Sequence, residues 1–465
     1  MKIIPSLCEF CYDNLVMIKD RAFYKRLVRI MIPLIVQLVI SFCVQMLDTV
    51  MVGALGDDAV SGVTLAAQPY FIFNTLIFGF TSGGSIMISQ YWGKQDTRHI
   101  RKVMAIMIWA VFLISVVYMS VCYLVPDKII GIFSKDPVLI AEGVSYLRIV
   151  IWAYLFSALA TSYFSSMTAK ENARISAFVY VVSFIVNVIA NYAFIFGHFG
   201  MPAMGIAGAA LGTVIARFTE LVLAFLYARY AENDVRFRLS DLKDVDFSLI
   251  PMFFKTSILV LMDDLVWSLN TSAQVAVIGH LNSNYVAAAS IASVAQNFAL
   301  IIVYATSRAT AITMGKIVGE GDYVYARKAG NTFLFLSLFV GLFASGLILL
   351  LRNPILSMYP NITADTRLLS FRIMTVISVI LIPSGLENST IVGVLRGSGD
   401  TSFAFWCDAL CMWGIGFTMG CLAAFVWKLP ILWVYFFLRC DCFVKVIIAS
   451  ARVLRGKYIK DVTVA

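Results

Sequence analysis

The sequence predicts an all-α integral membrane protein: twelve transmembrane helices in two pseudo-symmetric six-helix bundles, with both termini cytoplasmic. Three observations predict it. The 465 residues are 60% hydrophobic and only 14% charged, with a mean hydropathy of +0.87, whereas soluble domains carry about 25% charge. Twelve apolar runs are long enough to span a bilayer. The chain also matches itself at a fixed offset of 226 residues.

The runs do not alternate in polarity, so helices are the spanning form. Leu27–Val50 contains Pro33, is uncharged from Ile30 to Leu47, and then meets Asp48. Val60–Gly93 contains Pro69, which can kink it. Val103–Val125 and Val138–Ser166 follow, and then Ile175–Gly197 with Asn187 and Asn191. Gly205–Tyr230 overlaps the run MPAMGIAGAALGT (Met201–Thr213), whose small residues permit close helix packing. Leu249–Gly279 carries Asp263 and Asp264. Val286–Gly315, Phe333–Leu351, Leu368–Leu395 with Pro383 and Glu387, Phe403–Phe425 and Ile431–Ser450 complete the set.

Lys and Arg orient these spans. Of 36 basic residues, 27 fall in the alternate loops and span ends on the side where the first span begins or from Arg439 onward, and five fall on the other side. The positive side is the cytoplasmic one. The offset of 226 lays VMVGAL (Val50–Leu55) over AVIGHL (Ala276–Leu281), Asp96 over Asp322, and Arg101-Lys102 over Arg327-Lys328. Two six-span copies entering from the same side are parallel repeats, a transporter layout. The expected organisation is a cytoplasmic segment at 1–26, an N-lobe at 27–230, an inter-lobe linker at 231–248, a C-lobe at 249–450 and a basic tail at 451–465.

Several functions are disfavoured. The net charge of +9 resides largely in membrane-flanking loops, so nucleic acid is not implied. Cys8 and Cys11 form a C-x-x-C with no second pair to complete a zinc site. No Walker A loop is present. His99, His198 and His280 fall in loops and build no hydrolytic constellation, so an enzyme is not indicated.

Ionisable groups inside spans are costly and mark function by default. Asp48 lies about 8 Å along the helix from the outer loop. Asn187 and Asn191 share one face, i and i+4, and Thr213 lies at similar depth in the next span. A carboxylate, two amides and a hydroxyl suit a sodium ion, or a proton on the carboxylate; the alternative for the asparagines is a bond across helices. In the second half, Asp263-Asp264 and Glu387 lie roughly 12–14 Å deep. They could line a negative site for a cationic substrate, with Trp267 on the face of Asp264 to stack an organic cation. The alternative is that Asp263 or Asp264 faces the linker or pairs with Arg372, Arg308 or a backbone group.

The stretches IPLIVQLVISFCVQMLDTVMVGALG, NVIANYAFIFG with GIAGAALGTVIAR, LMDDLVWSL and GVLRGSGDTSF, in this order within a six-plus-six repeat, resemble the multidrug and toxic compound extrusion (MATE) family over nearly the whole chain. The resemblance implies a secondary antiporter of the cell membrane that exports organic, mostly cationic, drugs or toxic compounds in exchange for H+ or Na+ by alternating access. It implies no cofactor and a monomer. It maps cation coupling to Asp48, Asn187, Asn191 and Thr213 and the family's seventh-span acid to Asp264, and it puts Glu387 near an acidic position of one branch; with Trp267 from the helix-face reading above, Asp264 and Glu387 make the expected substrate cavity. Some members carry an Asp where this chain has Asn191, which leaves Asp48 as the only acid expected in the N-lobe site. A lipid or lipid-linked oligosaccharide flippase of the same wider superfamily is the alternative.

Overall fold

The computed structural model describes residues 17–281, 283–359 and 362–463. The Cys8–Cys11 pair lies outside them. Among the described residues all regular structure is helical. The order is α1 (Arg21–Gly53), α2 (Asp57–Gly93), α3 (Thr97–Leu124), a short α4 (Pro126–Gly131), α5 (Pro137–Ala169), α6 (Ala173–Phe196), α7 (Ile206–Tyr230), α8 (Ile250–Leu281), α9 (Ser283–Gly319), α10 (Tyr323–Ser357), α11 (Ala364–Arg396), α12 (Thr401–Val426), α13 (Ile431–Phe437) and α14 (Asp441–Leu454).

Ten of these are long and apolar enough to cross a membrane: α1 to α3, α5 to α7, and α9 to α12. The other two expected segments differ in kind. The seventh, α8, is a continuous helix of 32 residues whose apolar run is diluted by Asp263, Asp264, Asn270 and Gln274. The twelfth breaks between α13 and α14, and α14 opens on a buried Asp441. His99 and His280 belong to the first turn of α3 and the last turn of α8, rather than to loops.

The chain forms two compact units, one of residues 1–35 with 262–464 and one of 36–261. The cuts, after Ile35 and after Leu261, are themselves 226 residues apart, the repeat offset. The opening parts of α1 and α8 therefore belong to the unit of the other half.

The repeat has a local physical basis. In the turns before α3, α6, α10 and α12, a residue with positive φ is followed by Asp or Asn at the N-cap: Gln95-Asp96, Glu171-Asn172, Gly321-Asp322 and Gly399-Asp400. The left-handed residue closes the preceding helix. At Asp96 and Asp322 the carboxylate then accepts a backbone N–H of the next helix, from His99 at 3.1 Å and from Tyr325 at 2.9 Å.

Within the 36–261 unit, α2, α3, α5, α6 and α7 pack together, and small residues set how closely. A Cβ at Gly79 would lie 2.7 Å from Leu261, and one at Gly208 would overlap the Phe194 carbonyl. In the other unit α9, α10 and α11 form the core around Ala288, Ala292, Ala295 and Ala299, one fully buried helix stripe. There a Cβ at Gly385 would meet the Gly341 backbone at 2.6 Å.

The inter-lobe linker is docked on the 36–261 unit. Lys102 pairs with Asp246 at 2.9 Å, and the Trp109 indole N–H donates to the Leu242 carbonyl at 2.9 Å. Deeper, Lys170 pairs with Glu232 at 2.8 Å, both side chains 1% exposed. Glu232 also accepts the N–H groups of Val235 and Phe237. In the other unit, the final residues dock as well. Arg452 and Lys460 reach Asp400, and the buried Tyr458 hydroxyl donates to Ala326.

Burial pushes the Glu232 carboxyl up, but Lys170 and the two N–H groups outweigh it and hold it below the ordinary carboxylate range. A depressed folded value means stability that is whole above the ordinary pKa, about 4.3, and lost as pH falls through the folded value. Glu232→Gln strands the Lys170 charge, and thermal unfolding of the purified protein should show a loss of about 3–5 kcal/mol at neutral pH. That deficit should shrink below about pH 4, where the parent carboxylate is itself being protonated.

Candidate functional site

In the 36–261 unit three helices converge on a small cavity. From α1 come Ser41, Val44 and Asp48, at helical spacing. From α6 come Tyr180, Ser183 and Asn187, and from α7 come Thr213, Ala216, Arg217 and Glu220. The cavity measures about 30 Å³, room for about two water-sized species at 10–15 Å³ each.

Its hydrogen bonds fix the donors and acceptors. The Asn191 amide N–H donates to Asp48 Oδ1 at 2.6 Å and to Asn187 Oδ1 at 3.3 Å. The Thr213 hydroxyl donates to the Ala209 carbonyl at 3.1 Å, which leaves its lone pairs for the cavity. Arg217 pairs with Glu220 at 2.6 Å, and the Ser183 hydroxyl donates to the same Glu220 oxygen at 2.7 Å. Asn187, Asn191 and Glu220 are buried, and Asp48 is half-buried at the rim.

The structure thus brings Asp48, Asn187, Asn191 and Thr213 together. It corrects one expectation: Asp48 is not the only acid, because Glu220 lines the same cavity. Glu220 is tolerated there because Arg217, three residues before it on α7, compensates its charge. An Arg and a Glu at i and i+3 inside an apolar span are a legible sign of such a pair, and sequence reasoning missed the Glu.

The residues 1–35 and 262–464 hold a second charged site. Asp263, 1% exposed, is ion-paired to Arg396, whose other nitrogen lies 3.4 Å from Asp264. Arg396 ends a π-helical stretch, Ser389–Arg396, of a kind frequent at functional sites. Glu387 goes to a different cation: Lys445 of α14 contacts Glu387 at 2.7 Å, Asp441 at 2.9 Å and Asp408 at 3.0 Å. Trp267 is 42% exposed, and Asp264 keeps partial exposure on the same side of α8.

Two expectations change here. Arg396 and Lys445, which the charge count set on the cytoplasmic side, are buried. The carboxylates of the second half do not form an open negative site, because charges taken out of water need partners and these two cations supply them. Asp408 carries the same signal as Asp48, an acid inside an apolar span, and sequence reasoning missed it. The i, i+4 spacing of Asp441 and Lys445 was the clue to the buried cluster.

One family model, described as MatE, matches the chain twice, over residues 33–193 and 261–422. The chain belongs to the MatE family. The two matches begin within two residues of the 226 offset, so the family unit is the repeat itself. Among curated relatives, the probable multidrug resistance protein NorM of Rhizobium meliloti (strain 1021) is 26% identical over 416 residues, covering 86% of this chain and 85% of that protein. The probable multidrug resistance protein YoeA of Bacillus subtilis (strain 168) is 22% identical over 411 residues, covering 87% and 88%. The Vibrio cholerae MATE transporter VcmN, solved in its bent form, superposes with a TM-score of 0.83 at 17% identity, over 94% of this chain and 98% of that one. The protein is therefore a multi-pass membrane transporter of the multidrug efflux class, not an enzyme, and MATE transporters need no cofactor.

Two variants probe the two sites. A Cβ at Gly212 would overlap Asn191 Oδ1, so Gly212→Ala should push Asn191 off Asp48. Overpacking of this kind costs about 1–3 kcal/mol, read as a lower unfolding midpoint. Adding Asn191→Ala should relieve the stability loss without restoring drug efflux. Lys445→Met leaves three carboxylates uncompensated, at about 3–5 kcal/mol. Adding Glu387→Gln should recover part of that loss in a double-mutant cycle, the mark of a direct coupling.

Proposed function

We propose that this MatE transporter is an antiporter of the cell membrane. It exports organic, mostly cationic, compounds by alternating access in exchange for H+ or Na+ bound at Asp48. Both termini are cytoplasmic and the working unit is a monomer. The observation that carries the reading is the Asp48–Asn191–Asn187 chain beside a cavity of two-water size, with Thr213 and the Arg217–Glu220 pair completing its wall. A carboxylate held on one oxygen by an amide can take a proton or a small cation on the other.

Of the two ions, the proton is the better supported. A sodium ion wants several oxygen ligands, whereas the guanidinium of Arg217 lines this cavity and opposes a second fixed cation. Glu220 is already engaged by Arg217 and Ser183, so Asp48 is the carboxylate left to titrate. Cargo is assigned to the other half. Trp267, 42% exposed, offers an aromatic face to an organic cation, and Asp264 on the same side of α8, partly exposed and sharing Arg396 with Asp263, adds a partly compensated carboxylate. Asp263 is committed to Arg396, and Glu387 to Lys445.

The test is flux in proteoliposomes with separately imposed proton and sodium gradients. A proton gradient alone should drive ethidium export, and Asp48→Asn should abolish it in protein that still inserts normally. Full ethidium efflux by Asp48→Asn would end the coupling role. Movement of a lipid-linked sugar with no drug-stimulated ion flux would replace the antiporter with a flippase.

A further inference from the structure

A second, roomier cavity in the 36–261 unit is lined by other residues than the one at Asp48. It is a groove of about 820 Å³ bounded by α3, α5, the end of α7 and the inter-lobe linker. That volume lies within the roughly 300–1,000 Å³ of ligand pockets. Its lining is of two kinds. Trp109, Phe112, Leu159, Leu221 and Phe225 are apolar contributions from the helices. Trp109 and Phe225 are 42% and 48% exposed. The end of α7 and the linker contribute Arg229, Arg236 and Arg238.

These arginines are not consumed by the fold. Among the described residues, Arg236 and Arg238 have no carboxylate partner, and Arg229 lies 5.5 Å over the Tyr230 ring. The one acid in the lining, Glu232, is taken by Lys170. The wall also holds a buried polar group with nothing to bond: the Tyr163 hydroxyl, on a side chain 6% exposed, has no hydrogen-bond partner. A buried hydroxyl left unmatched is expensive and marks a place for a ligand oxygen. The linker holds the groove open through Trp109–Leu242 and Glu232, and Arg236 is fixed at a φ of 53°.

We infer that this groove is a binding site for one anionic phospholipid of the cytoplasmic leaflet. Its phosphate sits among Arg229, Arg236 and Arg238, an ester oxygen meets the Tyr163 hydroxyl, and an acyl chain lies along Trp109 and Phe225. Charge complementarity selects an anion, and the apolar lining from the helices selects a lipid over a free phosphate. Basic pockets of this kind between spans on the cytoplasmic side take anionic head groups. The linker that contributes Arg236 and Arg238 joins the two halves of the chain, so the lipid would stiffen that connection. This inference stands apart from the choice of cargo or coupling ion.

Trp109 supplies the readout. Purified, delipidated protein in detergent is titrated with phosphatidylglycerol carrying brominated acyl chains, and separately with brominated phosphatidylcholine of the same chains. The Trp109 signal is the difference in fluorescence between the parent protein and Trp109→Phe. Phosphatidylglycerol should quench that signal at a concentration at least tenfold below phosphatidylcholine. Each arginine near the surface contributes roughly a fivefold factor, so the Arg236→Asn/Arg238→Asn double variant should need about thirtyfold more phosphatidylglycerol. Asn is chosen because it tolerates a positive φ, and both arginines are exposed, so the unfolding midpoint should stay put. Tyr163→Phe should weaken phosphatidylglycerol, because it removes the hydroxyl that meets an ester oxygen. Equal quenching by the two lipids, an unaltered titration in the double variant, or displacement of the lipid by millimolar inorganic phosphate would each overturn the inference.

Discussion

A charge inside a bilayer has no water to lean on, and most of what is specific in this protein follows from that constraint. The chain is largely uniform apolar helix, interrupted at a few points by ionisable groups. At the sites described the structure supplies a partner, from the same helix or from another: Asn191 for Asp48, Arg217 for Glu220, Arg396 for Asp263 and Asp264, and Lys445 for Glu387, Asp408 and Asp441. The partners differ in kind. Asp48 alone is met by a neutral amide rather than a full charge. A carboxylate balanced by a cation is inclined to stay as it is, whereas one held by an amide and facing a cavity can exchange a proton or an ion.

The same constraint explains which features the amino-acid sequence made legible. Helix, span positions and the doubled architecture follow from hydrophobic runs and a fixed self-offset, both carried by local composition. The repeated turns are legible because an Asp at an N-cap after a left-handed residue is a local event. Asp48 is conspicuous because it ends an otherwise uncharged run. Its encounter with Asn187, Asn191 and Thr213 could be guessed from depth, since helical rise is regular.

Pairing partners were less accessible. That Arg396 would turn inward rather than remain in a loop depends on a π-helical stretch that shifts the register of α11's final turns, which composition does not encode. Lys445 lies in a segment read as a plain span, but the chain breaks before Asp441 and carries both residues into the buried cluster. Depth along a helix can be counted from sequence; rotation about its axis at an irregular turn cannot. The acids of the second half were therefore found, and their neutralisation was not.

Gln274 is the repeat counterpart of Asp48, and it donates to the Leu438 carbonyl, a purely structural bond. The duplication has thus kept its frame and let the two copies' chemistry diverge. The unit boundaries after Ile35 and Leu261 add something to that history. Each half has given the opening part of its first helix to the other half's unit, an exchange of arms within one chain. Severing the protein in its linker would yield two fragments of similar length, neither containing a whole unit. Each compact unit therefore draws on both repeats, so completing either one takes residues from both sides of the linker.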